Sequence, residues 1–415
     1  MEVDIADSIA EAVLAQFDRL PTKRKPKVRD NGLHEWVPIS GIVAEKDGVF
    51  TCISLATGMK CLSASKIPEA NGIGLHDWHA EALAIRTFNS YILDECLRII
   101  DTGSSDLLEK AFASDGLAGP KPFCVQPGIK LHMYASEAPC GDASMENLMA
   151  AQEDASPWDV PTRAETDLDG GYPELPGRAY FSQLGVVRRK PARSDAPPTL
   201  SKSCSDKLAL KQCTSLLASV TSLFVDPATA YIDTLVLPKD QYSHVACQRA
   251  FSATGRMSAV ASQTMDGGYG FHPFSIATTT VQFKYSRRTA LSRSDKIATS
   301  NLAAAWSLSG IEESILGGVI QGYKPFLPKG ASRMSRRRMW QNCCLLAGKL
   351  EERQEISEQL TADTYIQVKH GPLLNVRDNV KSLVREAALP GWIQNTGDDT
   401  FGIDQDKQGK QYKTR

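Results

Sequence analysis

The chain has 415 residues, of which 42% are hydrophobic, 23% charged and 7% aromatic. This composition is ordinary for a globular protein and excludes disordered, collagen-like and coiled-coil proteins. Its 47 basic and 48 acidic residues give a formal net charge of −1, which excludes a uniformly basic nucleic-acid-binding protein. A nucleic-acid surface would therefore have to come from a local cluster of basic side chains.

The chain starts with the acidic stretch MEVDIAD, which lacks the basic segment and apolar run of a signal peptide. No apolar run approaches the roughly 18 residues that a membrane helix requires. We therefore expect an intracellular protein, cytoplasmic, nuclear or both, with no membrane contact. The ten cysteines are scattered, so we expect reduced thiols, with metal binding as their leading use.

The first predicted elements are a helix and a hairpin. Apolar residues recur every fourth position from Ile5 to Phe17 and predict an amphipathic helix. A basic segment at 23–29 follows and is interpreted as a linker. Two β-rich runs, 36–44 and 49–56, are joined by a Lys-Asp-Gly turn and predict a hairpin.

The central region alternates strands and helices. Residues 78–100 predict a long buried helix, and 131–136 predict a strand that leads into a helix at 142–151. A helix is expected to start near Ser203, and a strand is expected at 231–237, with another helix after it.

The last third begins with a glycine-rich loop at 264–271. A strand is expected at 278–283, a short apolar segment at 302–308 and a basic helix at 332–350. The alternation of elements predicts an α/β fold.

Two segments, 152–178 and 188–199, lack apolar periodicity and are rich in charged residues, Pro and Gly. We expect both to be surface insertions. We find no internal repeat and no compelling domain boundary.

The strongest chemical signal is His79-Ala80-Glu81 at a predicted helix start, followed by Pro139-Cys140-Gly141-Asp142 at a strand-to-helix turn. Imidazole and thiolate suit Zn²⁺, while a carboxylate two residues after the histidine can stay off the metal and move protons. The combination H-x-E and P-C-x-x-C is the pattern of zinc deaminases. Here Ala143 stands where the second cysteine would be, so a third ligand must come from elsewhere.

Cys204 is the candidate for that ligand. It lies at a helix start that Ser203 would cap, where the helix dipole favours thiolate. With His79 and Cys140 it would complete a tetrahedral site with one open position. The alternatives are that Cys204 is a buried structural thiol and that the His-Ala-Glu triplet occurs by chance.

The motifs HAE at 79–81, PCGDAS at 139–144 and SCSDK at 203–207 resemble the deaminase domain of the adenosine deaminases that act on RNA and on tRNA. The resemblance covers nearly the whole chain, so we expect one deaminase domain over residues 1–415. It implies a cytidine-deaminase-like three-layer α/β/α core with a mixed sheet, enlarged by a C-terminal helical region.

The resemblance also implies zinc-dependent, hydrolytic deamination of adenosine to inosine in RNA. By this resemblance His79, Cys140 and Cys204 are the zinc ligands and Glu81 is the general acid and base. A stacked target base would have to be flipped out of its helix or loop.

The tRNA-specific branch of the family is expected, because too few residues precede the first predicted strand for a dsRNA-binding domain. That branch converts the adenosine at position 37 of tRNA-Ala to inosine in eukaryotes. All proposed ligands lie in one chain, so we expect a monomer. Basic side chains expected to contact tRNA are Lys23, Arg24, Lys25, Lys27, Arg29, Arg188 and Arg189.

Those basic segments could instead be solvated surface, and 23–29 could be a nuclear import signal. The family also buries inositol hexakisphosphate beneath the active site as a structural cofactor. The resemblance implies the following contacts and links to it: Lys60, Asp77, Arg86, Lys207, Arg336, Tyr365, Lys369, Arg377, Trp392 and Asp399. Buried cations would repel one another without a polyanion, so the ligand would support folding.

Two other functions are compatible with the motifs: an adenosine deaminase acting on other RNA, and a non-catalytic RNA-binding relative. The intact Glu81 argues against the second, because a structural zinc site needs no uncoordinated carboxylate. A free-nucleoside or cytidine deaminase is disfavoured, because those enzymes keep both cysteines within one turn.

Overall fold

The computed structural model describes residues 4–112, 118–152, 156, 180–190 and 196–403. In the N-terminal part the elements are α1 Ile5–Arg19, β1 His34–Trp36, β2 Ile39–Lys46, β3 Val49–Thr57, α2 Ala80–Thr102, β4 Leu108–Phe112, β5 Ala118–Val125, β6 Lys130–Ala135 and α3 Met145–Ala150.

The C-terminal part begins at the second cysteine motif, SCSDK at 203–207. Its elements are α4 Cys204–Thr214, β7 Thr234–Pro238, α5 His244–Phe251, β8 Ser275–Thr279, α6 Arg287–Leu291, β9 Ile297–Thr299, β10 Ala303–Ser307, β11 Glu312–Leu316, β12 Val319–Ile320, α7 Arg336–Ala347, α8 Gln354–Leu360, α9 Tyr365–Lys369 and α10 Asn375–Ala387.

The central sheet has eight strands in the order β12-β11-β10-β3-β2-β6-β7-β8. β6, β7 and β8 run parallel to one another, and the remaining neighbours are antiparallel. In the β2–β3 hairpin, Asp47 and Gly48 have φ angles of 52° and 77°. Such positive angles are needed for a two-residue turn that matches the twist of the strands. After the carboxyl end of β6 the chain continues into the first cysteine motif, PCGDAS at 139–144.

Helices cover both faces of the sheet. On one face the α1 side chains Ile9, Val13 and Phe17 are fully buried in a cluster that includes Val43 of β2. On the other face α2 packs against the sheet in a cluster that includes Ile42. Each fully buried apolar side chain stabilises the fold by about 1.5–3 kcal/mol. The arrangement is a three-layer α/β/α core.

The C-terminal helices pack around the buried Trp340 of α7. Its indole Nε1 donates a hydrogen bond to the carbonyl of Leu360 at 2.9 Å, and its ring lies about 6 Å from those of Tyr365 and Phe401. Helix α7 contacts α2, so this region lies on the α2 side of the sheet. The prediction of an α/β fold with a mixed sheet and a C-terminal helical region is confirmed.

Several local predictions need correction. The strand predicted at 278–283 is displaced, because β8 ends at Thr279 and Phe283 is buried against Phe17, with ring centroids 5.2 Å apart. The helix predicted from Asp142 begins as a 3₁₀ turn before α3. Ile5 is exposed and lies outside the buried stripe of α1.

Of the predicted insertion 152–178, only residues 152 and 156 are among those described, and residues 191–195 of the second insertion also lie outside the description. Arg188 and Lys190 belong to the packed interior, and the Lys190 amide donates to the Ser201 carbonyl at 2.7 Å. Among the described helices, none is long and apolar enough to cross a membrane.

Candidate active site

The first cysteine motif forms a tight turn at the carboxyl end of β6. Gly141 has a φ of 103°, and a Cβ placed on it would lie 2.2 Å from Ser203 Oγ. Only glycine fits this position, because other residues would strain the backbone and collide with the second cysteine motif. The turn therefore brings Cys140 against the start of α4.

Hydrogen bonds join the two cysteine motifs. The Cys204 amide donates to Cys140 Sγ at 3.3 Å, and the Ser205 amide donates to the Cys140 carbonyl at 3.0 Å. The Ser205 hydroxyl accepts from the Ala143 amide and donates to the Pro139 carbonyl. Ser203 caps α4 by accepting from the Asp206 amide at 3.1 Å, as predicted for a helix start here.

The two thiols lie within hydrogen-bonding distance of each other. Cys204 donates a hydrogen bond to Cys140, and Lys190 and His79 add positive charge, so the pKa of Cys140 lies well below its usual range. Burial and the charge on Cys140 raise the pKa of Cys204. A cation that replaced the proton of this hydrogen bond would leave both sulfurs as thiolates, the form that binds metals.

Asp77 orients His79 at the start of α2. One Asp77 oxygen, Oδ1, accepts from the His79 amide and from its ring Nδ1, both at 2.9 Å. Burial and Lys190 lower the pKa of His79, but Cys61 and Asp77 outweigh them and raise it to about 10. With Nδ1 bonded to a carboxylate, Nε2 is the ring nitrogen available to a metal, an arrangement common among metal-binding histidines.

Glu81 lies in the first turn of α2 and is 7% exposed. Burial and the neighbouring Cys140 raise the pKa of its carboxyl. A carboxyl group whose pKa is raised accepts a proton more readily than an ordinary carboxylate and can release it again.

His79 is shared by two candidate sets of metal ligands. The donor atoms of Cys61, Asp77 and His79 all lie within 4.8 Å of one another, with Cys61 Sγ 3.5 Å from Nδ1. The sequence pointed instead to His79 with Cys140 and Cys204, whose donor atoms, all in described residues, do not all lie within 4.8 Å of one another. A metal on Asp77 would have to displace its existing partners, because Oδ1 is occupied by His79 and Oδ2 by Lys190 and Lys207. The chemistry of the donors favours the cysteine pair.

Lys190 connects these groups and was not recognised from the sequence. Its ammonium lies 2.9 Å from Asp77 Oδ2 and 3.3 Å from Cys204 Sγ, and the side chain is 5% exposed. Burial lowers the pKa of Lys190, but Asp77 and the nearby cysteines hold it well above its usual range. In the sequence Lys190 lies in an Arg-Arg-Lys run that resembles a solvated basic patch.

A cavity of about 320 Å³ lies next to this site, with Asp77, Glu81 and Cys204 in its wall. Six of the residues predicted to hold a polyanion also line it: Arg86, Lys207, Arg336, Tyr365, Lys369 and Trp392. Lys211 lines it as well and was missed, because its position on α4 has no motif of its own.

The cavity concentrates positive charge in the interior. Burial and Arg336 lower the pKa of Arg86, and burial with nearby cations lowers the pKa of Lys211 well below its usual range. The pKa of Lys369 is lowered in the same way. Buried like charges are costly, so the cavity is suited to an anion with many oxygens.

Three of the predicted polyanion contacts lie elsewhere, since they are absent from the described lining of the cavity. Lys60 donates to Thr299 Oγ1 at 3.2 Å. Arg377 is buried and donates to the carbonyls of Thr214 and Leu217, so it stabilises the C-terminal end of α4 and the chain that follows it. Asp399 presents its backbone carbonyl to the Ile366 amide at 2.7 Å.

The predicted RNA contacts also separate by position. Arg188 is 2% exposed and donates to the carbonyls of Tyr180 and Gln183. The prediction that it contacts RNA is therefore corrected, because a phosphate cannot reach this interior side chain. Arg189 is half-buried, and its backbone pairs with that of Lys202.

In the N-terminal basic segment, Arg24 pairs with Glu312 and Arg29 with Glu35, both at 2.9 Å. Lys25 donates to the Asp18 carbonyl. Lys23 and Lys27 are exposed. The segment is folded onto the body of the protein and is not the open linker that the sequence suggested.

Comparison with known proteins identifies the family. Residues 54–396 match the adenosine-deaminase (editase) domain. The chain is 35% identical over 403 residues to tRNA-specific adenosine deaminase 1 of Schizosaccharomyces pombe, covering 95% of this chain and 96% of that protein.

More distant similarity extends to two other proteins. The chain is 32% identical over 258 residues to tRNA-specific adenosine deaminase 1 of Saccharomyces cerevisiae, and the match covers 59% of this chain and 61% of that protein. It is 25% identical over 243 residues to the double-stranded RNA-specific editase Adar of Drosophila melanogaster, and the match covers 56% of this chain and 33% of that protein. The chain therefore belongs to the adenosine-deaminase (editase) domain family.

Proposed function

We propose that this protein deaminates adenosine to inosine in tRNA by zinc-dependent hydrolysis. The observation that carries the proposal is the buried Glu81 carboxyl beside the Cys140–Cys204 pair at the carboxyl end of β6. The extent of the match to the tRNA-specific relative of Schizosaccharomyces pombe supports tRNA as the substrate.

His79, Cys140 and Cys204 would hold the metal. Bound Zn²⁺ supplies a Lewis acid that lowers the pKa of water to ~7. Asp77 fixes the ring of His79, and the ammonium of Lys190 stabilises charge on Cys204. Lys207 and Lys190 together neutralise Asp77 and hold its pKa well below its usual range against the opposing effect of burial.

Glu81 would carry out the proton transfers. Its carboxylate takes one proton from the attacking water and delivers it to the ring nitrogen. It then takes the proton of the new hydroxyl on C6 and delivers it to the amino group, which leaves as ammonia, so the carboxylate is regenerated in each turnover. Burial keeps bulk water away from the carboxyl, which supports the raised pKa that both steps require.

The cation-lined cavity would hold inositol hexakisphosphate. Arg86, Arg336, Lys207, Lys211 and Lys369 provide donors around the cavity, and their mutual repulsion gives the fold a reason to bind a polyanion. The polyanion would then lie beside the Asp77–Lys207 pair that adjoins the metal site.

For the finer assignments we propose position 37 of tRNA-Ala as the target, a monomeric enzyme, and a cytoplasmic or nuclear location. One chain supplies every group in the proposed reaction, which supports the monomer. An enzyme acting on other RNA, or a non-catalytic RNA-binding relative, is separated from this proposal by the experiment below.

The test compares wild-type protein with Glu81→Gln, which keeps the size of the side chain but cannot transfer the proton. Both proteins are assayed on unmodified tRNA-Ala and tRNA-Arg transcripts, inosine is located by reverse transcription, and zinc is measured by elemental analysis. We expect conversion at position 37 of tRNA-Ala only, a loss of at least ~100-fold in Glu81→Gln, and equal zinc content. No conversion by zinc-replete wild-type protein would overturn the proposal.

A further inference from the structure

The segment 284–296 carries five basic residues and one acid, and the predictions assigned it no function. It contains the short helix α6 and leads into β9. Arg287, Arg293 and Lys296 are exposed. The other two cations have partners, because Lys284 pairs with Asp18 and Arg288 with Asp240.

The exposed members have few acidic neighbours: Glu137 faces Arg287, and Asp295 precedes Lys296. Within the described residues, Arg287, Arg293 and Lys296 form no ion pair. By contrast, Arg24 and Arg29 are neutralised by glutamates. The segment therefore presents three exposed cations, none of them in a salt bridge among the described residues, beside one exposed acid, Asp295.

Backbone contacts fix this segment next to the candidate active site. The Arg287 amide donates to Glu137 Oε1 at 3.3 Å, and Glu137 lies three residues before Cys140. The Val37 amide donates to the Tyr285 carbonyl at 3.0 Å, which ties the segment to the chain entering β2. A polyanion on this surface would thus lie beside the turn that carries Cys140.

A small parallel sheet joins the segment to the N-terminal basic region. β1 pairs with β9, and the His34 amide donates to the Lys296 carbonyl at 2.8 Å. The next residue of β1, Glu35, donates its amide to the Lys27 carbonyl at 3.0 Å. Lys27 and Lys296 therefore flank the same strand, about 10 Å apart given the spacing of neighbouring strands. Two basic regions far apart in the sequence are therefore neighbours across β1.

We propose that Arg287, Arg293 and Lys296, together with Lys27, form a docking surface for the phosphate backbone of the tRNA substrate. This inference rests on the proposed function for the identity of the RNA. Exposed cations that form no salt bridge within the described residues, fixed beside a site that must receive a base, match the spaced negative charges of a nucleic-acid backbone. Contacts of this kind position the substrate and do not read its sequence.

The test uses the triple variant Arg287→Gln, Arg293→Gln and Lys296→Gln. Its matched control is Lys46→Gln, Lys110→Gln and Lys130→Gln, three exposed lysines; Lys46 and Lys130 lie at the opposite end of β2 and β6. Affinity for tRNA-Ala transcript is measured by fluorescence anisotropy at several salt concentrations, and deamination kinetics are measured in parallel.

We expect the triple variant to bind tRNA ~10-fold more weakly, with a salt dependence reduced by about two to three in log–log slope. KM should rise by a similar factor, while kcat stays within about 2-fold, because the reacting groups are untouched. The control variant should behave as wild type in both assays.

Binding and kinetics separate this inference from the proposed function. If wild-type protein binds tRNA but does not deaminate it, and the triple variant alone loses binding, the docking surface stands and the proposed function fails. If the triple variant binds like wild type, or the control loses as much affinity, the docking surface is overturned whatever the activity shows.

Discussion

Lys190 and Asp77 form a buried ion pair at 2.9 Å, and the same ammonium lies 3.3 Å from Cys204 Sγ. The pair joins the start of α2, which carries His79 and Glu81, to the start of α4, which carries Cys204. The other carboxylate oxygen of Asp77, Oδ1, accepts a hydrogen bond from the ring of His79 and orients it. One carboxylate and one ammonium thus link the starts of α2 and α4, which are far apart in the sequence.

Replacing Lys190 by Met should destabilise the protein by about 3–5 kcal/mol, because Asp77 would keep its charge with one buried partner removed. The matched control is Lys46→Met, an exposed lysine, for which a change within about 0.5 kcal/mol is expected. Denaturant unfolding of the proteins as isolated measures both. Equal unfolding midpoints for the two variants would show that the pair does not stabilise the fold.

Zinc content should separate the two candidate sets of metal ligands. Cys140→Ser and Cys204→Ser should each lose most of the bound zinc, because serine is a poor ligand for it. Cys61→Ser should retain it, because Cys61 belongs to the alternative set around Asp77. Elemental analysis of the purified variants is the measurement. Loss of zinc in Cys61→Ser with retention in Cys140→Ser would assign the metal to the other set.

Gly141→Ala tests the contact between the two cysteine motifs. The added Cβ would lie 2.2 Å from Ser203 Oγ and 2.4 Å from Ser203 Cβ, and the backbone would be strained at a φ of 103°. We expect loss of zinc and a destabilisation well above that of Gly128→Ala. Gly128 has a φ of 82° but no atom within 4 Å of the added Cβ, so that variant reports backbone strain alone, about 1 kcal/mol. Thermal unfolding and zinc analysis provide the comparison.

The sequence was sufficient for the elements that carry short, strong signals. The Asp-Gly turn of the β2–β3 hairpin, the Ser203 cap of α4 and the long apolar helix α2 depend on neighbouring residues, so local patterns predict them. The same holds for the helix start at His79 and the tight turn at Cys140.

The missed features depend on residues that are distant in the sequence. Lys190 is part of the site only because the chain from 180 to 190 folds onto α4, and in the sequence it is one more cation in a basic run. Arg188 was misassigned for the same reason. Phe283 fits the apolar pattern of the predicted strand, but it is buried because it packs against Phe17 of α1. Burial and pairing across such distances leave no local pattern.

Arg249 of α5 should stabilise the first cysteine motif through Asp142. Its guanidinium donates to both carboxylate oxygens and to the carbonyl of Asp142 at 3.0–3.1 Å, and it also binds Glu146. Arg249→Met should cost about 3–5 kcal/mol, because the Asp142 side chain is fully buried and would lose its charge partner. The double variant with Asp142→Asn should cost less than the sum of the single variants. Additive changes in unfolding free energy would exclude this coupling.

Stability in the absence of a polyanion should rise with pH above neutrality, and Lys381 should account for part of the rise. Burial and repulsion by Arg377 lower the pKa of Lys381 to about 7, although Asp378 pairs with it at 2.8 Å. Its pKa in the unfolded chain is about 10.4. Between these values the unfolded chain binds more protons than the folded one, so the free energy of unfolding increases with pH across this window.

The contribution of a single group cannot exceed about 1.4 kcal/mol per pH unit. Lys381→Met should reduce the slope between pH 7 and pH 10, whereas Lys349→Met, which removes an exposed lysine, should leave it unchanged. Denaturant unfolding at several pH values measures the slopes. Inositol hexakisphosphate should stabilise the wild-type protein more at pH 7 than at pH 9, because a polyanion in the cavity favours the protonated lysines around it. Equal stabilisation at both pH values would show that the ligand does not act on these buried cations.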